Sequence, residues 1–574
     1  MNINIDIKKI PFSYPGSYFT VHEMEETDIY EKGIYIKTLH KDGWRDRVIK
    51  FELYDGEGEV PYVWEAAPTL LTMKSEKGSF SLCFASPSVL AFEGRGVGLR
   101  MKYINASQSV KRDTLTFEIN CCAQNERVLL KAAKGKLDMQ YEWDGDNCTY
   151  IHSILMPEGE EAVAEGTISF FRDSGAICES RGFSNKYPWE ISFEKAKESA
   201  AAAFECWMKS AGKVRKEYEK AYELANYLNW SSLVMPYGNL KRRTMFASKA
   251  SMTGIWSWDH CFHALGVLNQ DPELAWEQWM LMFDKQDEKG ALPDRMDEFF
   301  TFWGFYKPPV HGYLLGFMLK NSGFITNRHL EQAYEPLKKW TDFWFLYCDS
   351  DQDGIPEYYN GNDSGWDNNT VAINGIPFES PDLSTYLYLQ MEVLEDIAGR
   401  LGKVEEKESW RGRKDTLLAA MLKHFCSGGK LTACMSGSHE PIRSDSLLLY
   451  LPLLLGEKLP EEVRKNFIRD LKEEGRFLTD NGLATEALTS RYYEADGYWR
   501  GPVWAPSAFL ISQGLIACGE EEFAEELMKR FCDMAAREFV MPENFDAITG
   551  RALRDPSIIW TACVFTVFAS KYLL

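Results

Sequence analysis

Residues 327–347, NRHLEQAYEPLKKWTDFWFLY, form one long helical window that runs into an Asp-, Gly- and Pro-rich loop, and its reading governs the larger part of the chain. Windows of the same kind recur on both sides, at 272–284, 383–401, 405–425 and 520–539, with loops rich in Gly, Pro, Asp and Trp between them. From residue 228 onward they amount to roughly ten to twelve helices, without the self-similarity every 20 to 50 residues that a short-period solenoid would show. A closed double ring of helices, an α/α toroid, accounts for this better than an open array.

Upstream the period changes. Up to residue 192, runs such as 33–38 (GIYIKT) and 114–119 (TLTFEI) alternate or cluster β-forming residues between Gly, Asp and Asn punctuation, which reads as an all-β sandwich. Residues 193–227 are rich in Ala, Glu and Lys, with Gly212 as the one interruption, and read as a helical linker. The expected division is therefore 1–192, 193–227 and 228–574, with the last part catalytic.

A chain of 574 residues exceeds what one hydrophobic core usually organises, so more than one domain is expected. The formal charge of −21 would repel a phosphate backbone and argues against a nucleic acid partner. The first nine residues, MNINIDIKK, lack a basic stretch followed by an apolar one, and no window approaches 18 uninterrupted apolar residues. The expectation is a soluble, cytoplasmic protein with no membrane partner. The 13 cysteines are odd in number and scattered, which fits reduced buried thiols. Neither a paired CxxC nor an HExxH motif supports zinc, and no phosphate-cradling Gly-rich loop supports a nucleotide cofactor.

The unusual residues lie in loops between helices: Trp256-Ser257-Trp258-Asp259-His260, Asp363-Ser364-Gly365-Trp366-Asp367-Asn368-Asn369, Tyr498-Trp499-Arg500-Gly501-Pro502-Val503-Trp504 and Pro542-Glu543-Asn544-Phe545-Asp546. Most of them set a carboxylate or Arg beside an aromatic ring. A pyranose requires both, because its hydroxyls take charged hydrogen-bond partners while its C–H face takes an aromatic plate. Glycoside hydrolysis uses two carboxyl groups, one protonated to deliver a proton and one ionised to activate water or attack. Asp367, in a Gly-Trp-Asp turn where an apolar ring would keep it protonated, is the candidate acid, and Glu543, between Pro542 and Asn544, the candidate base.

A separate signal is Asp349-Ser350-Asp351-Gln352-Asp353-Gly354-Ile355-Pro356-Glu357, with acidic oxygens at positions 1, 3, 5 and 9 and Gly at 6, like the front half of an EF-hand loop. Asn360 stands where the bidentate Glu of an EF-hand would be. The expected cofactor is structural calcium, held by Asp349, Asp351, Asp353, Glu357 and the Ile355 carbonyl, with a distant carboxylate such as Glu379 completing the shell and the ion shaping the Asp367 loop.

On these residues the sequence resembles glycoside hydrolase family 63, the group of processing α-glucosidase I and its bacterial relatives, and more distantly the trehalases of family 37. The resemblance spans 228–574 and is most specific at Ser364-Gly365-Trp366-Asp367-Asn368, at the 498–504 segment, and at Glu543-Asn544-Phe545-Asp546 followed by Thr549-Gly550. It implies a mainly α fold, an (α/α)6 barrel catalytic domain preceded by an N-terminal all-β sandwich domain. It also implies Asp367 as general acid, Glu543 as general base, calcium at the Asp349 loop, and inversion at the anomeric carbon. Inversion needs the two carboxyls about 6.5 to 9.5 Å apart, against roughly 5 Å in retaining enzymes. By motif position Trp258, Asp259, Trp366, Arg500 and Trp504 are the expected sugar pocket, with Trp303 and Trp560 added.

The activity expected is that of an exo-acting α-glucosidase on a small glucoside or oligosaccharide. An α-mannosidase, a mannosyl- or glucosylglycerate hydrolase, a trehalase and an α-rhamnosidase stand as alternatives on the same architecture, which by itself does not choose among them. Beyond these stand a phosphorylase, with one catalytic carboxyl and a phosphate pocket, and a binding protein that has lost a carboxylate.

Overall fold

In the computed structural model, residues 3–40, 45–143, 148–170 and 191–574 are described. The chain divides into two compact units, one of residues 1–210, 230–238 and 248–253, the other of 211–229, 239–247 and 254–574.

Among the described residues, the first unit carries fourteen antiparallel strands, β1 (Phe19–Met24) to β14 (Val163–Phe170), in two sheets. One sheet has the order β1-β2-β3-β8-β13-β12 and the other β4-β5-β6-β7-β14-β11-β10-β9. The expected strand at 33–38 is β2 (Gly33–Thr38), and that at 114–119 is β10, shifted to Thr116–Cys121. The sheets meet through Phe19 of β1 and Phe170 of β14, whose rings stack with centroids 3.7 Å apart. Helix α1 (Phe193–Ser210) lies on β6 (Gly78–Ser86) and β7 (Val89–Arg95), burying Phe193 and Ala196 against Cys83 and Ala91.

The stretch expected to be one helical linker is therefore two elements. α1 belongs to the sheet unit, whereas most of α2 (Glu219–Ser231) belongs to the helical one. Two later segments also complete the first unit: Gly16 N–H donates to the Leu233 carbonyl at 2.9 Å, and the buried Lys249 ammonium donates to the Ser17 and Leu233 carbonyls at 2.6 and 2.8 Å. Such long-range backbone pairing leaves no periodic mark in a sequence.

In the second unit six inner elements contact one another in a closed circuit. α3 (Asp259–Val267) touches α5 (His311–Asn321), α5 touches α7 (Pro381–Arg400), and α7 touches a 3₁₀ stretch at Leu447–Lys458. That stretch meets α10 (Ala505–Ala517), α10 meets α12 (Ile559–Val567), and α12 returns to α3. Three of these elements, α3, α12 and the Leu447–Gly456 run, are buried at every position. Outside them, α4 (Pro272–Met280) packs on α3, α8 (Val404–Phe425) on α7, α9 (Glu461–Lys472) on the Leu447 stretch and α11 (Glu521–Glu538) on α10. The window that opened the reading is α6 (Asn327–Tyr347), which packs on α7 and buries Leu330, Ala333, Leu337, Trp340 and Trp344 on one stripe. Outer helices are amphipathic because one face meets the ring and the other meets water.

Candidate active site

In a ring of helical hairpins, the loops that precede inner helices all open at one end. The notable residues sit in these loops: Asp259 at the first turn of α3, Lys307 just before α5, Asp367 ahead of α7, Tyr498 ahead of α10 and Glu543 ahead of α12. Chain segments hundreds of residues apart thus deliver their side chains to one place.

Asp367 and Glu543 come together around Tyr498. The Tyr498 hydroxyl donates to Glu543 Oε1 at 3.0 Å, and it also faces the Asp367 carboxyl. Burial pushes both carboxyls above their ordinary values, with Tyr498 opposing the rise at each. Asp259, only 4% exposed and with Oδ2 lacking a hydrogen-bond partner, is pushed up to about 8 by burial and feels the charges of Asp367 and Glu543. Asp294 is likewise raised by burial. One buried ammonium serves this group: Lys307 Nζ lies 3.4 Å from Asp367 Oδ1 and 3.6 Å from Asp294 Oδ1, and donates to the Asn362 carbonyl at 3.1 Å. The Arg554 and Arg295 guanidiniums counter the rise at Glu543 and Asp294, but Asp259, pushed to about 8, keeps a proton in the cluster near neutrality. Of the four carboxyls, Asp367 combines this setting with a side chain that is 31% exposed and so reachable from solvent.

The loop geometry explains why these particular residues are held. Gly365 has φ +76°, and a Cβ there would stand 2.8 Å from the Trp258 ring, so glycine alone fits before Trp366 and Asp367. Asp363 accepts from the Tyr306, Tyr359 and Asn360 N–H groups, each at 2.9 Å, which ties the Lys307 loop to the Asp367 loop; burial nonetheless pushes its carboxyl up to about 6. Asn368 clamps the next junction, donating to the Gly497 carbonyl and accepting from Trp499 N–H, both at 2.9 Å. Tyr498 (φ +64°) and Arg554 (φ +63°) both occupy the left-handed region, and the Arg554 guanidinium lies 4.8 Å from the Tyr498 ring centroid. Strained non-glycine residues of this kind persist where surrounding structure over-determines them.

An aromatic block backs the carboxyls. Trp366 stacks on Trp499 at 4.8 Å, Trp499 on Trp504 at 3.8 Å, and Trp258 and Trp560 meet edge to face at 5.6 Å. Trp366 and Trp504 have no exposed surface, so they stand behind the carboxyls as packing, and their rings present no free face to a sugar. Trp258 and Trp560 keep 2% and 6% of their surface. Trp303 lies apart from the block at 48% exposure, in a run with the exposed Phe300, Phe302 and Phe305. Arg500 forms an ion pair with Glu494 at 3.2 Å. Sequence reasoning missed Lys307, Asp294 and Tyr498 as members of the cluster. Tyr498 lay inside a motif already quoted, whereas Lys307 had no local signal beyond being the one cation in an aromatic and proline run.

The Asp349 loop gathers carboxylate oxygens of Asp349, Asp351 and Asp353 within 4.8 Å of one another, and Asp349 Oδ1 and Glu357 Oε2 are buried without a partner. Ile355 takes part through its N–H, which donates to Asp353 Oδ1 at 2.8 Å. Glu379, expected to finish an oxygen shell, is instead turned to imidazole, 2.5 Å from His424 Nε2. Only its Oε2 is so engaged; Oε1 is buried without a partner, like Asp349 Oδ1 and Glu357 Oε2, so the loop keeps oxygens that could hold calcium while imidazoles border it. Among the described residues every cysteine is a free thiol, and no helix is long and apolar enough to cross a membrane.

The mannosylglycerate hydrolase MGH1-like glycoside hydrolase domain matches residues 252–561. A mannosylglycerate hydrolase of Rubrobacter radiotolerans is 22% identical over 399 residues, covering 54% of this chain and 89% of that protein. A Schizosaccharomyces pombe protein named "probable mannosyl-oligosaccharide glucosidase" is 22% identical over 214 residues, and the match spans 33% of this chain and only 26% of the yeast protein. Among solved structures, the GH63 mannosylglycerate hydrolase of Thermus thermophilus in complex with glucose has a TM-score of 0.51 at 18% identity, over 60% of this chain and 99% of that one. A bacterial glucoamylase complexed with acarbose reaches 0.58 at 11% identity, over 99% of this chain and 94% of that one. At these identities the structural likeness concerns the fold alone.

Proposed function

The chain belongs to glycoside hydrolase family 63 through its MGH1-like domain, and from that premise we propose that it hydrolyses an α-linked glycoside with inversion, Asp367 serving as general acid and Glu543 as general base. The observation that carries this reading is the Tyr498 hydroxyl held between the two carboxyls, both raised by burial.

Protonated Asp367 delivers its proton to the departing glycosidic oxygen. The carboxylate left behind is stabilised by Lys307, 3.4 Å away, so the ammonium favours the product side of that transfer. Glu543, kept ionisable by the Tyr498 hydrogen bond and the nearby Arg554 charge, takes a proton from a water that attacks the opposite face of the sugar. An inverting pair requires a gap of about 6.5 to 9.5 Å between the two carboxyls, and a sugar-bound crystal structure measures it directly. Neutral Asp259 donates a hydrogen bond to a sugar hydroxyl through its unpartnered oxygen. In this reading the closed circuit of six inner elements is the (α/α)6 barrel of the family, with the carboxyls at one mouth.

For substrate, two readings are kept: exo-cleavage of an α-glucoside, and cleavage of a mannosyl- or glucosylglycerate. The second is favoured by the domain match, and by Arg554, whose guanidinium pairs with the exposed Asp496 at 2.8 Å and can exchange that partner for a glycerate carboxylate. The experiment is proton NMR of the released sugar from a panel of glucose disaccharides, mannosylglycerate and glucosylglycerate, for the parent chain, Asp367→Asn and Glu543→Gln. First release of the β-anomer by the parent alone supports inversion and both roles; first release of the α-anomer would refute them. The sugar released decides between the substrates.

A further inference from the structure

Beside the Asp349 loop, four side chains from four separate segments bring one donor atom each within 4.8 Å of one another: Asp353, Glu379, His424 and His439. His439 Nε2 lies 3.6 Å from Asp353 Oδ2 and 3.8 Å from Glu379 Oε1, and His424 Nδ1 lies 3.7 Å from Asp353 Oδ2. Donors set tetrahedrally around zinc at about 2.1 Å are about 3.4 Å apart, so these separations close onto one ion with small side-chain movements. Asp351 Oδ2 lies alongside, hydrogen-bonded to His439 Nε2 and accepting from Gly437 N–H, both at 2.9 Å.

The second observation is the state of Glu379. It has no exposed surface, and its Oε1 has no hydrogen-bond partner, although an imidazole nitrogen stands 3.8 Å away across the gap. That nitrogen is held by Asp351 Oδ2 at 2.9 Å, which leaves Glu379 Oε1 as a buried carboxylate oxygen with no partner of its own, a costly state unless something else meets it. Glu379 Oε2, by contrast, is engaged: it lies 2.5 Å from His424 Nε2 and accepts from the Cys434 thiol at 3.2 Å. A histidine that binds a metal through one nitrogen typically donates its other N–H to a carboxylate, which fixes the ring. His424 is set up in that way, with Nδ1 left to face the gap.

We propose that Asp353, Glu379, His424 and His439 form a structural site for a borderline divalent cation of the zinc class, with Asp351 alongside. The donor set decides the class. Calcium takes six to eight oxygens, whereas two imidazoles with carboxylates suit zinc and its transition-metal neighbours. The ion joins the loop after α6, the end of α8 and the small sheet of Glu357–Tyr358, Phe378–Glu379 and Cys434–Met435, from which the chain runs into Asp363 and Asp367. Motif spacing cannot reveal such a site, because its ligands are spread over almost ninety residues.

The test uses the full chain, stripped with chelator and titrated calorimetrically with Zn²⁺ alone, Ca²⁺ alone, and Zn²⁺ in the presence of excess Ca²⁺. One equivalent of zinc that calcium does not displace is expected, together with visible absorption from a nitrogen-containing shell when Co²⁺ is substituted. His439→Asn, at a half-exposed position, should keep the parent circular dichroism and lose at least about ten-fold in zinc affinity, while Asp349→Asn should retain it. Calcium binding that zinc does not compete, no ion binding by the parent, or parent-like zinc affinity in His439→Asn would each overturn the proposal. None of these readouts depends on hydrolysis, so the catalytic reading stands or falls separately.

Discussion

Asp259→Asn should make the protein more stable at high pH and leave it nearly unchanged in acid. Asn imitates the protonated carboxyl that burial favours at this position, where the folded value is pushed from 3.8 up to about 8. A carboxyl whose folded value is raised contributes stability that is fully present below its unfolded value and is lost as pH rises through the folded one. Each pH unit across that window is worth about 1.4 kcal/mol, so parent and variant should diverge by about 5 kcal/mol between pH 4 and pH 8 and run parallel above it. Part of that divergence belongs to Asp367 and Glu543, which feel the Asp259 charge and titrate with it. The assay is urea unfolding followed by fluorescence of the tryptophan block around Trp258, at half-unit pH steps, with the difference between the two proteins plotted against pH. Parallel curves from pH 5 to 8.5 would refute the reasoning, because they would mean that Asp259 ionises as freely in the folded chain as in the unfolded one.

Tyr498→Phe removes a hydrogen bond to a charged carboxylate worth about 1.5 to 3 kcal/mol, so kcat/KM should fall roughly 10- to 150-fold. That bond holds Glu543 down, so the acidic limb of the pH–rate profile should move to higher pH in the variant; an unmoved limb would detach Tyr498 from the base. Gly365→Ala meets the Trp258 ring at 2.8 Å and a left-handed φ together, for a loss of about 2 to 4 kcal/mol in unfolding measurements, with Ser at the same site no better.

Much of the architecture was legible because period reports burial. Two-residue alternation marked the strands at 33–38 and near 114–119, and amphipathic windows marked α6, α8 and α11 to within a residue or two. The inner elements were harder, because a segment buried on all sides, such as Leu447–Gly456, has no polar face to set a period. The carboxyl pair was legible for a different reason: Gly365 before Trp366 and Asp367, and Pro542 before Glu543, are local restraints on backbone and environment that a sequence carries openly.

What the sequence by itself determined was which segments are helical, which are strands, and which loops concentrate carboxylates beside aromatic rings, since all three depend on neighbours along the chain. Only the tertiary structure decided that the Lys307 ammonium is shared within a group of four carboxyls, that Trp366 and Trp504 lie behind the site, and that His424 and His439 face Glu379. These are properties of electrostatic fields and enclosed volume. They are set by residues tens to hundreds of positions apart, which only closure of the ring and its loops brings within a few ångströms.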